Sequence, residues 1–250
     1  MVLAVIPARY GSTRLPGKPL LDLGGKTLIQ RVYDAVHGAG AVDKVVVATD
    51  DHRILEHVTG FGGVGVLTDS AHPSGTDRVA EAARQFPEAR LVVNVQGDEP
   101  FLLPEQLRSV TQPFEDPAVR IATLATPIRD EHGLLSPNVV KVVRDDGGQA
   151  LYFSRHAVPY LRDLPVGLWI DQGIHLQHIG IYAFRAEVLQ QLTKLPPATL
   201  ERQESLEQLR WLAAGHRIHV ALTDRPSLGI DTPADLEEAR RRFPPANADR

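Results

Sequence analysis

Short apolar runs alternate with stretches of helical period along the first half of the chain. Val2–Ile6, Val45–Thr49, Val64–Leu67 and Leu91–Val95 have the length and β-branched content of buried strands. Between the first two, Leu28, Ile29, Val32, Tyr33 and Val36 recur at three- and four-residue spacings. This spacing predicts an amphipathic helix over Thr27–His37, with Thr27 as its cap. Shorter helices are predicted from about His52 to His57, capped by Asp50 or Asp51, and through Glu81, Ala82 and Ala83 after the loop Ser70–Arg78. One more helix follows Pro104 and leads to a strand at Ile121–Thr126. Strands alternating with helices predict an α/β fold with a doubly wound, mostly parallel sheet.

The pattern then changes. Val139–Val143, the turn Asp145–Gly148 and Ala150–Phe153 read as a hairpin, the glycine pair supplying the positive φ of a tight turn. Pro159–Gln177, rich in Pro, Gly and Leu and containing Trp169, is expected to be irregular and not a core element. A strand at His178–Phe184 feeds a helix at Ala186–Leu192, and a continuous helix is predicted over Gln203–Ala213 with Leu206, Leu209 and Leu212 on its apolar side. After a strand at Ile218–Leu222, the last helix runs from Pro233 to Arg242, with Thr232 as cap and Pro233 in the first turn. Pro244–Arg250 reads as a loose tail.

Composition narrows the function classes. The 250 residues suffice for one large α/β domain, and a net charge of -4 leaves no electrostatic footprint for nucleic acid. With no cysteine, disulfides, thiolate catalysis and cysteine-ligated zinc are excluded. No apolar stretch approaches the ~20 residues of a membrane span, so no membrane insertion is expected. The first apolar run is stopped by Pro7 and does not read as a signal peptide, and the expected location is the cytoplasm.

Against this acidic background the loop after the first strand is cationic. Arg9, Arg14 and Lys18 precede the first carboxylate, Asp22, and Gly11 and Gly17 let backbone come close to a ligand. A loop leaving the carboxyl end of a parallel strand lies where open α/β sheets bind ligands, so polyanion binding is expected; solvated loop charges are the plainer alternative. The spacing of Gly11 and Gly17, and Pro19 where a metal-binding hydroxyl should stand, exclude a Walker P-loop, and no dinucleotide fingerprint follows the strand. Asp98 lies just past the strand Leu91–Val95, next to Gly97, a fitting place for a metal ligand, although a loop cap would use the same residue.

The run Ile6-Pro7-Ala8-Arg9-Tyr10-Gly11-Ser12-Thr13-Arg14-Leu15-Pro16-Gly17-Lys18-Pro19-Leu20 closely resembles the opening of the CMP-sugar synthetases that activate 3-deoxy-manno-octulosonate (KDO). Further motifs of that family recur in order: Ser74–Arg78, Val93–Pro100, Asn138–Val143, Ala150–Arg155, His178–Tyr182, Leu200–Arg210 and Gly229–Pro233. They span nearly the whole chain. The resemblance implies a Rossmann-like nucleotidyltransferase fold with a mixed sheet and a hairpin and dimerisation arm inserted in the second half. It also implies a single domain over 1–250, with a nucleotide-binding half over about 1–130, a sugar-binding and dimerisation region over about 131–220 and a closing helix over about 231–243.

The activity implied is cytidylyl transfer from CTP to the anomeric C2 hydroxyl of KDO, giving CMP-KDO and pyrophosphate for lipopolysaccharide synthesis, by a magnesium-dependent homodimer. Arg9, Arg14 and Lys18, with Ser12, would hold the triphosphate, and guanidinium groups suit phosphate oxygens. Asp98 and Asp231 match the family's metal-binding aspartates; Ser74, Gly75, Thr76 and Arg78 match the segment lining the nucleotide. Gln96, Tyr152, Arg155, His178, Tyr182, Glu207 and Gln208 match positions around the acid sugar, where Arg155 would pair its carboxylate. The chain departs from the family pattern in a shortened arm, in Ser227-Leu228 before the last aspartate, and in Arg202 and Gln203. Two rivals are a CMP-sialate or amino-KDO synthetase and a non-catalytic nucleotide sensor, which would have little use for Asp231 or the Glu207-Gln208 pair.

Overall fold

The first apolar run becomes the strand β1 (Val2–Ala8), with Leu3 to Ile6 completely buried because it has a hydrogen-bonded neighbour on each side. The computed structural model describes residues 1–11, 15–226 and 228–243. Ser12 and Arg14, the tail from Pro244 and Ser227 lie outside the described residues. The chain forms two compact units, one from Met1–Arg108 with Ser227–Arg250 and one from Ser109–Pro226.

In the first unit β1 is followed by α1 (Leu28–Gly38), β2 (Lys44–Thr49), α2 (His52–Gly60), β3 (Gly65–Leu67), α3 (Gly75–Ala83), β4 (Leu91–Asn94) and α4 (Pro104–Thr111). All of its strand pairs are parallel, in the order β3-β2-β1-β4. The predicted caps are present: the Thr27 side chain accepts the Gln30 N–H, and Asp51 accepts the Arg53 N–H. Register places Ala8 opposite Thr49 and Val5 opposite Asn94, so the segments after β1, β2 and β4 emerge at one edge. Gly97 is required at that edge, since a Cβ on it would lie 2.7 Å from the Pro7 carbonyl oxygen.

The second unit holds β5 (Ile121–Pro127), α5 (Glu131–Leu135), the hairpin strands β6 (Lys141–Arg144) and β7 (Ala150–Ser154), β8 (Leu176–Arg185), α6 (Ala186–Leu192), α7 (Thr199–Glu204), α8 (Gln208–Ala213) and β9 (His219–Leu222). β5 pairs antiparallel with β8 and parallel with β9; β6 pairs antiparallel with both β7 and β8. The hairpin turn uses Gly148 at φ +81°. Two expectations change here. The helix expected over 203–213 is two helices, because Ser205 takes left-handed backbone (φ 52°) and the Leu206 N–H closes α7 on the Glu201 carbonyl. Trp169, expected outside any core, is 3% exposed and packs with Ile128, Leu134 and Ala157. Its indole N–H donates to the Leu164 carbonyl at 2.9 Å, so an irregular segment builds a small core of its own.

The last helix, α9 (Pro233–Arg242), returns to the first unit. Its capping box matches the expected Thr232 start, with Asp235 as the reciprocal partner. Its far end is fixed by Phe243, which stacks on Phe101 (4.9 Å between centroids) and lies under the Arg31 guanidinium.

Candidate active site

The edge described above opens into a cleft of about 450 Å³ in the first unit. Arg9, Lys18, Ser74, Gly75, Arg78, Gln96, Asp98 and Asp231, drawn from segments far apart in sequence, all line it. Thr76 does not; it is buried in the first turn of α3.

Lys18 is placed by a tight turn. The Gly17 N–H donates to the Tyr10 carbonyl at 3.2 Å, and Gly17 at φ +66° starts the single 3-10 turn Lys18–Leu20. From there the Lys18 ammonium donates to Asp98 Oδ2 at 2.7 Å and to Asp231 Oδ1 at 3.1 Å. The Lys18 side chain is largely covered, whereas Asp231 is about half exposed. One cation therefore touches two carboxylates that lie 133 positions apart in sequence.

Local structure explains how Asp231 arrives. The Ile230 N–H donates to the Asp98 carbonyl at 3.0 Å, tying the two segments together at Asp98 itself and one residue before Asp231. The Asp235 carboxylate accepts the N–H groups of Asp231 (3.0 Å) and Thr232 (2.7 Å), fixing the backbone from which the Asp231 side chain leaves. Burial acts to raise the Asp235 carboxyl, but those N–H groups, the Thr232 hydroxyl and the nearby Lys18 charge together hold it below its usual range.

On the other wall Ser74 caps α3, accepting the Asp77 N–H, and the α3 amino terminus faces the cleft with its favourable potential for anions. Arg78 is 5% exposed; it donates to Thr68 Oγ1 at 2.5 Å and pairs with Asp50 at 3.2 Å. Asp50 is a residue that the sequence reads only as a possible cap: Asp51 is the cap, and Asp50 anchors Arg78. His72 also lines the cleft, hydrogen-bonded to Glu81, and has no counterpart among the sequence candidates. Only its position in the loop before α3 could have drawn attention to it.

The sugar candidates other than Gln96 belong to the second unit. His178 is partly buried, and its desolvation pushes the imidazole down to about 3, so it is neutral at ordinary pH. The Thr123 hydroxyl lies 2.8 and 3.1 Å from the carbonyls of Ile181 and Ile179, which occupy its single proton; the 2.9 Å contact with His178 Nε2 is then read as the ring donating. A register shift in the β5–β8 pairing at Thr123/Leu124 brings this hydroxyl against both carbonyls. The Tyr182 ring lies 5.3 Å from that of His178, and its buried hydroxyl is pushed well above its usual range by burial and by the Glu207 charge. Gln208 is buried at the start of α8, directly after Glu207. The Arg155 guanidinium is directed at the carbonyls of Glu204 (2.6 Å), Pro137 (2.9 Å) and Ser205 (3.4 Å). Two of its five N–H donors remain beyond these bonds.

Among the described residues no group of three or more His, Cys, Asp or Glu side chains is assembled for a metal. Two aspartates on one cation suit magnesium, which usually takes one or two carboxylates and completes its shell with phosphate and water oxygens.

A family model described as cytidylyltransferase matches residues 3–218. The chain belongs to the cytidylyltransferase family. Within this family it is 48% identical over 242 residues to the 3-deoxy-manno-octulosonate cytidylyltransferase of Parabacteroides distasonis, covering 95% of this chain and 96% of that one. It is 52% identical over 248 residues to the protein of the same name from Xanthomonas campestris pv. campestris, covering 96% and 88%. A solved structure of CMP:2-keto-3-deoxy-manno-octonic acid synthetase complexed with CTP superposes with a TM-score of 0.89 at 43% identity, over 96% of this chain and 97% of that one. The 4-diphosphocytidyl-2C-methyl-D-erythritol synthase of Anaerococcus prevotii, at 16% identity and a TM-score of 0.64, shares the fold. The family resemblance and the mixed α/β nucleotidyltransferase fold expected from the motifs are thus both found. Among the described residues no helix is long and apolar enough to cross a membrane.

Proposed function

We propose that the chain transfers the cytidylyl group of CTP to the C2 hydroxyl of KDO, releasing pyrophosphate, with magnesium held by Asp98 and Asp231. The observation that carries this reading is the pair of aspartates gathered on one cation, in a cleft that also presents Arg9, Arg78 and the start of α3. Identity of about half the residues with relatives named for this reaction supports the same substrates.

In the reaction the C2 hydroxyl oxygen bonds to the α-phosphorus as the bond to the bridging oxygen of pyrophosphate breaks in line, and the hydroxyl proton is lost to solvent. When bound, magnesium neutralises phosphate charge and acidifies the attacking hydroxyl. The chain's own residues supply position and charge. Arg9 and Lys18 face the triphosphate, and Arg14 and Ser12 belong to the same loop. Ser74, Gly75 and Arg78 form the wall for the nucleoside, with Thr76 buried behind them in the first turn of α3 and Asp50 keeping the Arg78 fork in place.

For the acid sugar, Gln96, Tyr152, Tyr182, Glu207 and Gln208 offer hydrogen bonds, and Arg155 offers its positive charge and remaining donors to the carboxylate. His178, held neutral, orients neighbouring groups and does not exchange protons near pH 7. The protein acts in the cytoplasm as a homodimer; exposed Tyr160, Leu168 and Ile174 in the irregular arm are apolar surface suited to a second subunit.

Pyrophosphate release tests the substrates directly. With CTP and magnesium, KDO is expected to be the preferred acceptor over N-acetylneuraminate and the amino analogue of KDO. Equal or faster release with the nine-carbon sugar would assign the chain to sialate activation, and CTP binding without release from any acceptor would make it a sensor.

A further inference from the structure

The second unit contains two charged groups, Lys141 and Glu204, that the proposed chemistry does not use. Lys141 is completely buried, and its ammonium donates to three carbonyls: Ser136 at 2.8 Å, Val139 at 2.6 Å and Arg155 at 2.6 Å. All three of its N–H bonds are thereby satisfied, so it pins β6 to the chain just after β7. The Glu204 carboxylate, at the end of α7, accepts the Ser154 hydroxyl at 2.8 Å and the Arg155 N–H at 2.9 Å. The Tyr152 hydroxyl reaches the same carboxylate at 3.5 Å. In return Arg155 donates to the carbonyls of both Glu204 and Ser205.

The bonds of Glu204 and Arg155 converge on the break between α7 and α8. Ser205 is the only non-glycine residue among the described ones with positive φ, a conformation unfavourable for any residue with a Cβ and kept only when its surroundings impose it. Glu207 and Gln208 follow directly. Were α7 to continue through Ser205 as a regular helix, both side chains would leave the chain at different angles and heights. A second clamp, the Glu201–Arg210 ion pair, joins the two helices across the same break but does not touch Ser205.

We propose that Glu204 is a positioning residue for the acid-sugar subsite: by clipping the end of α7 to β7 and Arg155 it holds Ser205 in left-handed backbone, which delivers Glu207 and Gln208 to the sugar. It does not itself touch substrate. This inference rests on the reading of the second unit as the sugar-binding part of a KDO cytidylyltransferase, and it adds the device that shapes the subsite.

The test separates the two substrates. In Glu204→Gln the charge is lost and the amide keeps one acceptor, placing a donor where the other carboxylate oxygen accepted from either Ser154 or the Arg155 N–H. The KM for KDO is expected to rise about tenfold, the scale of one lost charge-assisted hydrogen bond, while the KM for CTP stays within about twofold. Ser205→Gly and Ser205→Val then test the backbone, because glycine takes left-handed φ freely and a β-branched residue resists it. Glycine is expected to leave the KM for KDO unchanged and valine to raise it as Glu204→Gln does. Equal rises for both substrates in Glu204→Gln, or valine behaving as glycine does, would overturn the proposal. Should Glu204→Gln fail to fold, the Ser205 pair decides alone. Failure of the wild-type chain to release pyrophosphate with KDO would instead overturn the substrate assignment.

Discussion

His178 shows how much one desolvated side chain decides about mechanism. In sequence it is a strand-end histidine matching a sugar-pocket position, and either proton transfer or packing could be its task. Burial without a charged partner favours the neutral ring and pushes its pKa from 6.5 to about 3. Between those values the unfolded chain holds a proton that the folded chain lacks, so stability is unaffected above about pH 6.5 and falls as the pH drops toward 3. Denaturant unfolding at pH 7 and pH 5 is expected to show that loss in the wild type and a smaller one in His178→Gln. An identical pH slope in both would show that His178 titrates normally.

At the scale of elements, α9 does the work of bringing Asp231 to the cleft, and it is docked at both ends. Its start is tied by the Ile230–Asp98 backbone bond, and its end lies against Gly24, where an added Cβ would sit 1.9 Å from the Phe243 carbonyl oxygen. Gly24→Ala, which adds the overlap to left-handed strain (φ +68°), is therefore expected to cost about 2–5 kcal/mol of stability and to reduce turnover through Asp231. Gly25→Ala has open space and similar backbone strain (φ +82°), so it should lose only about 1–2 kcal/mol and keep its activity. Thermal unfolding with parallel rate measurements distinguishes them; equal turnover in the two variants would mean that α9 docking does not govern the site.

The start of α9 was legible in sequence because capping is local: Thr232 and Pro233 announce it, and the structure adds Asp235 as the reciprocal partner. Its docking was not, since Gly24 and Phe243 stand far apart in the chain and nothing periodic links them. The α7–α8 break escaped for a related reason. Leu206, Leu209 and Leu212 keep helical spacing, while the side chain that donates to the Ser205 carbonyl at the break comes from Arg155, fifty positions away.

For the molecule as a whole, the strand and helix alternation and the cationic loop were readable from composition and spacing alone, and the motifs supplied the family. Spacing could not show that Lys18, Asp98 and Asp231 meet, or that Asp50 supports Arg78, because these are tertiary contacts between segments of unrelated period. Assembly follows the same logic of exposed surface. If the arm forms the subunit interface, Leu168→Asp, at a site 46% exposed, should shift the mass measured by light scattering from dimer to monomer without unfolding the chain. An unchanged mass would place the interface elsewhere or leave the chain monomeric.

The proposed sharing of one magnesium ion by two distant carboxylates is tested most directly by turnover of Asp98→Asn, Asp231→Asn and the double variant under saturating CTP, KDO and magnesium. Each single change is expected to slow the reaction by about a hundredfold, about 2.7 kcal/mol of barrier. Because both remove ligands of the same ion, the double variant should be no slower than about the worse single one. Losses that multiply to about ten-thousandfold, or either single variant turning over at the wild-type rate, would show that the two aspartates do not act on a common ion.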